Sequence, residues 1–373
     1  MTVTHQATVL VSAGEPSGDA HGACLVAALK RAQPGLELEG CGGPLMAGAG
    51  VRLRRGIEGL AAMGLLEIAR AIPRHWSLLR DLVRDAETGR FRLAILIDYP
   101  GFHLRLGAAL RARGVPVLQY IAPQLWAWHG RRIGRLRRSA DRVAAILPFE
   151  QEWFAARGVQ CSFVGHPLLD RRWPSQADAR AALSLAPGAT VLAIFPGSRN
   201  AEISLHWPLF REVARRLLAE GRCDQVLVAG TAQGHYPDPG DLRVVRGAAD
   251  QVMAAATAAL VKSGTTSLEA ACVGTPLVVA YRTRRTTYEV VSRMLTVDQI
   301  SLVNLVLGEA LVPEFWRRPV VAAPILAALR LLLEPASANA TAQRLGFKRA
   351  RERLGAPGVA DRVARLALDL VPV

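Results

Sequence analysis

A short apolar run, a turn rich in glycine and hydroxyls, and a longer helix-like stretch recur along this chain. That recurrence leaves few folds open. Strands are expected at 7–12, 36–40, 93–98, 115–120, 143–147 and 162–164, with helices at 19–32, 67–86, 104–113, 130–139 and 150–157. Strands alternating with helices at this spacing make βαβ units, hence a parallel sheet. The pattern breaks at Gly165-His166-Pro167-Leu168-Leu169-Asp170 and then restarts. Further strands are expected at 191–195, 225–229, 242–245, 258–261 and 277–280, with helices at about 204–220, 250–256, 266–273 and 288–295. From Val320 onward only helices are expected. The fold class is therefore α/β, with two doubly wound, Rossmann-like halves, 1–167 and 168–335, and a helical tail, 336–373. At 373 residues, two domains also fit the usual domain size. Ligands of such sheets bind at the carboxyl ends of the strands, so the expected site is a cleft between facing halves.

Charge narrows the partners. Lys+Arg is 46 against 31 Asp+Glu, a net +15, and only Lys30, Lys262 and Lys348 are lysines. Such a surplus is either a compositional preference for arginine or the mark of an anionic partner: nucleic acid, a phosphorylated ligand or an acidic membrane surface. Hydrophobic residues make up 51%, which excludes a disordered chain. The five cysteines, Cys24, Cys41, Cys161, Cys223 and Cys272, are widely spaced with no C-x-x-C. They point to a reducing compartment and away from a disulfide framework or zinc knuckle. The first residues run straight into a strand, so no signal peptide is expected. No apolar run is long enough to span a membrane. A cytoplasmic protein, or one on a cytoplasmic membrane face, is expected.

Several familiar motifs are absent: no Walker A loop, no G-x-G-x-x-G after the first strand, no G-x-S-x-G, no D-x-D among the aspartates and no H-x-x-x-H. No metal and no bound cofactor are expected. Two turns in the second half suit anions. Pro196-Gly197-Ser198-Arg199-Asn200-Ala201-Glu202-Ile203 puts an arginine at a helix start, and Gly197 lets the backbone approach a ligand. Lys262-Ser263-Gly264-Thr265-Thr266-Ser267-Leu268-Glu269 supplies a glycine, four hydroxyls and free amides. Glu269 is placed to accept from a ribose diol. The plainer reading is a helix cap, with Thr266 and Glu269 as a capping box. Together the turns suggest a nucleoside diphosphate.

In the first half, Asp98 ends a strand before Tyr99-Pro100-Gly101, a good place for a general base, although it could merely cap a helix. The loop Gly14-Glu15-Pro16-Ser17-Gly18-Asp19 could bind an acceptor's phosphate or hydroxyls through Gly14, Glu15, Ser17 and Asp19; a capped turn is the simpler reading. Glu15 and Asp19 are the alternative bases. A stretch carrying Leu65, Leu66, Ile68, Ile72, Trp76 and Leu79 among arginines suggests a membrane face. So does the pair Trp126 and Trp128 before Arg131, Arg132, Arg135, Arg137 and Arg138. A core-facing helix and a solvated basic helix would look the same. No RNP, zinc or helix-turn-helix signature supports nucleic acid.

These stretches, with Gly42-Gly43-Pro44-Leu45-Met46, Met63-Gly64-Leu65-Leu66-Glu67, Leu147-Pro148-Phe149-Glu150, Tyr281-Arg282 and Ser301-Leu302-Val303-Asn304-Leu305, resemble the bacterial lipid-A-disaccharide synthase family in order and spacing along nearly the whole chain. The resemblance implies a GT-B glycosyltransferase, inverting and metal-independent. It would transfer from UDP-2,3-diacylglucosamine to 2,3-diacylglucosamine 1-phosphate (lipid X), giving lipid A disaccharide 1-phosphate and UDP. It implies an N-terminal acceptor and membrane-associated domain and a C-terminal donor domain. The donor residues would be Gly197, Ser198, Arg199, Glu202, Ser263, Gly264, Thr265, Thr266, Glu269, Tyr281, Arg282 and, by analogy alone, Asn304. It also implies attachment to the cytoplasmic face of the inner membrane, and a homodimer, with exchanged C-terminal segments in some members. The chain departs from the family at Pro16 (usually Ala), Val303 (usually Pro), Trp316 and Arg317. The alternatives are another UDP-sugar GT-B enzyme, of the peptidoglycan glucosaminyltransferase or UDP-sugar 2-epimerase type, and a basic nucleic-acid-binding protein.

Overall fold

The computed structural model describes residues 8–57, 65–128, 130–284, 288–289, 295–317, 319–334 and 336–371, apart from the side chains of 65–71 and 131. The chain divides into two units, Met1–Asp170 with Gly355–Val373, and Arg171–Leu354.

The first unit runs β1 (Thr8–Ala13), α1 (Pro16–Ala32), β2 (Leu38–Gly42), α2 (Pro44–Gly48), β3 (Arg52–Gly56), α3 (Leu65–Glu87), β4 (Phe91–Ile97), α4 (Pro100–Arg111), β5 (Val117–Tyr120), α5 (Ile133–Ser139), β6 (Arg142–Ala145), α6 (Pro148–Ala155) and β7 (Cys161–Phe163). Its sheet is parallel, in the order β3-β2-β1-β4-β5-β6-β7. β1 and β4 are buried almost throughout, as apolar runs without alternation require when helices cover both faces. Edge strand β3, with the sequence RLRRG, escapes the apolar-run pattern: Arg52 and Arg54 are exposed, a common protection for a sheet edge. Arg52 on it meets the buried Glu39 of β2 at 2.6 Å, and Arg90 meets the same carboxylate at 2.6 Å. α1, α2, α4 and α6 all begin with proline at the first helical position, where a missing N–H costs nothing. These helices therefore start two to four residues before the expected positions where one was assigned. Pro16 is one of these starts.

The second unit runs α7 (Gln176–Ala182), β8 (Val191–Phe195), α8 (Asn200–Ala219), β9 (Gln225–Gly230), β10 (Arg243–Arg246), α9 (Ala249–Ala255), β11 (Ala258–Val261), α10 (Thr266–Val273), β12 (Leu277–Ala280), α11 (Leu302–Leu307), β13 (Glu314–Phe315), α12 (Ala322–Leu333) and α13 (Ala338–Arg353). Its sheet, also parallel, is ordered β10-β9-β8-β11-β12-β13. The core gathers Leu192, Ile194, Phe210, Val213, Leu260, Val278 and Leu329 from β8, α8, β11, β12 and α12. The two-residue β13 is too short to register as an apolar run. The helix expected at 288–295 lies mostly outside the described residues. The departure Val303 is fully buried inside α11.

The tail is not one body. α13 belongs to the second unit, whereas the last helix, α14 (Val359–Leu368), belongs to the first. Its Val359, Val363, Ala364 and Ala367 join Leu25, Val26 and Leu29 of α1 in one apolar cluster. The expected 336–373 segment is thus split at 354/355, and the boundary expected at 167/168 falls at 170/171. Asp170 secures the return: its carboxylate accepts from the amides of Gly358 (2.5 Å), Val359 (2.9 Å) and Ala360 (3.4 Å). Asp170→Ala removes this cap and should lower stability by about 1–2 kcal/mol. Urea unfolding checks it, and an unchanged midpoint would mean that α14 is held by its apolar face alone.

Candidate functional site

In each sheet the winding reverses between two adjacent strands, β1 and β4 in the first unit and β8 and β11 in the second. Loops leaving such a pair diverge and open a crevice at the carboxyl ends. All four loops singled out from the sequence follow these four strands.

In the first crevice, a Cβ on Gly14 would sit 2.4 Å from the Tyr99 ring, so only glycine fits beside that residue. Asp98 and Tyr99 both hold left-handed backbone angles, φ 50° and 52°, and neighbouring Ile121 after β5 has φ 66°. Left-handed geometry is unusual for tyrosine and isoleucine and persists only where neighbours enforce it. Two buried side chains supply that force at the Asp98 carbonyl. His103 Nδ1–H donates to it at 2.7 Å, and Gln119 Nε2 donates at 3.2 Å while reaching the Ile121 carbonyl at 3.3 Å. With the proton on Nδ1, His103 Nε2 accepts from Ser12 Oγ of β1 at 3.0 Å. Burial pushes the His103 imidazole down to about 4, against the Asp98 carbonyl that pulls the other way. Tyr99 Oη hydrogen-bonds His75 of α3 at 2.9 Å. The Asp98 backbone is therefore fixed from β1, α4 and β5, and its half-buried side chain sits in the crevice loop.

Asp19, offered as acceptor ligand and alternative base, is occupied otherwise. It is buried, and its carboxylate accepts from the amides of Gly43 (2.8 Å), Leu45 (3.1 Å) and Met46 (3.0 Å). It caps α2 and leaves Glu15 and Ser17, half-buried and exposed, as the polar side chains of that loop.

In the second crevice, Glu202 joins the two anion-ready turns. Its Oε2 accepts from the Ser198 amide at 3.1 Å and its Oε1 pairs with Lys262 Nζ at 3.0 Å. Burial raises its carboxyl, but Lys262, the Ser198 amide and Arg199 together outweigh that and hold it below the usual range. Gly197 (φ 132°) is required: a Cβ there would meet Glu202 at 2.7 Å. Gly264 (φ 151°) has open space where a Cβ would stand, with Lys262 Nζ 3.8 Å away. Ser198, Arg199 and Thr265 are exposed. Ser263 Oγ donates to the Ile300 carbonyl at 2.8 Å. The capping box expected from Thr266 and Glu269 does not form: Thr265 is the N-cap residue, Thr266 is already helical, and Glu269 Oε1 meets Arg171 at 3.4 Å. Burial raises the Glu269 carboxyl, partly countered by Arg171. The Arg282 amide donates to His206 Nε2 at 3.0 Å, tying the Tyr281-Arg282 turn to α8.

Asn304 does not face this crevice with a spare group. Its amide donates to the Val312 carbonyl and Glu314 and accepts from the Leu311 and Val312 amides, and it is buried. It shapes the approach to β13. Lys262, His206, His103 and Gln119 are site residues that the sequence reading did not single out. The His206 position was legible, one helical turn after Glu202.

The aromatic pair also separates. Trp126 is 6% exposed, and its indole donates to the buried Glu150 at 2.9 Å, so it belongs to the core. Burial pushes Glu150 up to about 7 despite that bond and one from the Leu147 amide. Trp128 is 43% exposed. On α3, Ile72 and Trp76 are exposed at 48% and 57% and Leu79 is half-buried; the side chains of Leu65, Leu66 and Ile68 lie outside the described residues.

A lowered imidazole makes a pH prediction. The unfolded chain protonates His103 near 6.5 and the folded one only near 4, so stability should fall as pH drops through that window. His103→Gln should flatten the slope by about 1.4 kcal/mol per pH unit there. Urea titrations at several pH values measure it; identical slopes would contradict the buried, neutral imidazole.

Comparison with known proteins follows the same line. The family model described as lipid-A-disaccharide synthetase matches residues 9–357. The lipid-A-disaccharide synthase of Syntrophus aciditrophicus is 37% identical over 97% of both chains, and that of Myxococcus xanthus is 38% identical over 99% of both. Among solved structures, the calicheamicin glycosyltransferase CalG4 superposes with TM-score 0.62 at 16% identity, covering 99% of this chain and all of that one. That likeness concerns the fold alone.

Proposed function

The chain belongs to the lipid-A-disaccharide synthetase family and is a GT-B glycosyltransferase of lipid A biosynthesis, and from that premise we propose that it joins UDP-2,3-diacylglucosamine to 2,3-diacylglucosamine 1-phosphate. The observation that carries this reading is the division of labour between the two crevices. One holds a carboxylate on a fixed backbone; the other holds two glycine turns, an arginine and a lysine suited to a diphosphate. The family match favours the synthase over the epimerase and peptidoglycan alternatives.

In the proposed reaction the acceptor 6-hydroxyl attacks the donor's anomeric carbon as Asp98 takes its proton. The bond from that carbon to the diphosphate breaks, and UDP leaves with the electron pair. Arg199, Lys262 and the amides around Gly264 meet the charge that develops on the leaving group. Glu269 accepts from the ribose, and inversion follows from single displacement. The reaction so written needs neither metal nor cofactor. Glu15 and Ser17 hold the acceptor. Asp98, rather than Asp19, is the base because Asp19 spends its oxygens on three amides.

No helix among the described residues is long and apolar enough to cross a membrane. Peripheral attachment to the cytoplasmic face of the inner membrane is the proposed location, through the exposed part of α3 and the arginines of α5. Replacing Arg135 and Arg138 with Ser should weaken pelleting with anionic vesicles, most strongly at low salt; equal pelleting would exclude α5 from the contact.

Asp98→Asn should lower turnover by roughly 10²–10⁴-fold and leave UDP affinity unchanged. Arg199→Ala should lower turnover as well and, unlike Asp98→Asn, weaken UDP by about tenfold or more through loss of a charge-assisted hydrogen bond. Calorimetry with UDP and a coupled assay for UDP release separate the two. Near-parent turnover in Asp98→Asn would remove the base from this mechanism, and unchanged UDP affinity in Arg199→Ala would remove the arginine from the donor site.

A further inference from the structure

α3 carries two apolar stripes. Leu78, Leu82 and Ala86 form one and are buried in the core of the first unit. Trp76, Leu79 and Val83, three and four residues apart, form the other, and the fold leaves it open: Trp76 is 57% exposed, and Leu79 and Val83 are half-buried. Between this stripe and α4 lies a groove of about 500 Å3, lined by Trp76, Leu79, Arg80, Val83, Ala109 and Arg113. That size falls within the range of ligand pockets. Its walls are hydrocarbon and indole, and no acidic residue lines it. The two arginines can lay their aliphatic stems along it; the Arg113 head is held at the rim by Glu87 at 2.7 Å and by the Ala109 carbonyl at 3.1 Å.

The position of the groove is as informative as its walls. His75, the residue before Trp76, packs edge-on against Phe102 of α4 at 5.4 Å and bonds Tyr99, the residue after Asp98. α4 starts at that contact and carries Ala109 on the order of 10 Å further along its axis. The α3 wall of the groove therefore begins one residue after the contact with the Asp98–Tyr99 turn, and the groove leads away from it between the two helices.

We propose that the α3–α4 groove holds an acyl chain of the acceptor glycolipid, entering from the end nearest Asp98. The inference rests on the reading of Asp98 as the acceptor-side base. The sugar hydroxyl stays at Asp98 while a chain attached to the same ring runs along Trp76, Leu79 and Val83. Each methylene taken from water into the groove adds about 0.8 kcal/mol, so a few methylenes change acceptor affinity tenfold or more. Ala109 sets the depth: a larger side chain would fill the floor, and the residue is itself only half-buried on a surface helix.

The test uses the full chain and glucosamine 1-phosphate carrying acyl chains of increasing length, each below the concentration at which it aggregates, and the sugar phosphate with no chains. Affinity, by calorimetry, should rise with chain length for the parent. In Ala109→Phe the longest analogue should bind at least tenfold more weakly, with the chain-free sugar phosphate and vesicle pelleting unchanged. Trp76→Ala, at an exposed position, should show a smaller loss in the same direction and carries the test if Ala109→Phe does not fold. Parallel chain-length curves for parent and variants overturn the proposal. So does reduced vesicle pelleting with unchanged affinity for the soluble analogues, which would make a bilayer lipid the occupant, or a changed sedimentation coefficient, which would make it a second copy. Failure of the broader reading looks different: the parent would then release no UDP with the acylated pair at any chain length.

Discussion

The constraint on which everything else depends is the reversal of winding inside each parallel sheet. All strands point the same way, so every strand-to-helix loop leaves from one edge. Where β1 and β4, or β8 and β11, stand side by side, their loops part to opposite faces and leave the backbone between them open. Functional side chains from positions 12 to 121 can then converge at the first crevice, and from 197 to 282 at the second. An antiparallel arrangement would have sent alternate loops to the other edge.

That geometry is held at some cost, and the buried polar groups show where. Three non-glycine residues, Asp98, Tyr99 and Ile121, keep left-handed backbones at the ends of neighbouring strands. Each such residue costs on the order of 1–3 kcal/mol. His103 and Gln119 offset this with hydrogen bonds made in a dry interior, where they are strong and where losing them would strand a polar group. The second crevice uses an ion pair in the same way. Glu202 holds the Ser198 amide and Lys262 together, so the two turns present one joined surface at the carboxyl ends of β8 and β11. In the first crevice the groups that fix the geometry are distinct from the carboxylate proposed as base, whereas in the second Lys262 serves both ends.

Much of the fold was legible because apolar runs and helix periodicity are local. Most strands of both sheets lie within two residues of their expected positions. What escaped was also local in cause. β3 has arginines where a strand at the centre of the sheet has valines, and β13 has two residues. Prolines that read as loop proved to be the first residues of helices. At the sites, the glycines and Asp98 were legible from turn chemistry. Asp19 and Trp126 were not, because their partners lie elsewhere in the chain: Asp19 bonds to residues 24 to 27 positions away, and Trp126 to Glu150.

By itself the sequence determined two parallel α/β halves, the four loops that flank the reversals, and the phosphate-ready character of two of them. Those properties follow from residue type and spacing within a dozen residues. Only the tertiary structure decided which carboxylates are already spent on backbone amides, which tryptophan is core, and that α13 and α14 part to different units. It also decided that one apolar stripe of α3 is covered and the next left open. The physical reason is that a side chain's capacity to bond is written in its chemistry, whereas its partner is chosen by the crossovers that bring distant segments into contact.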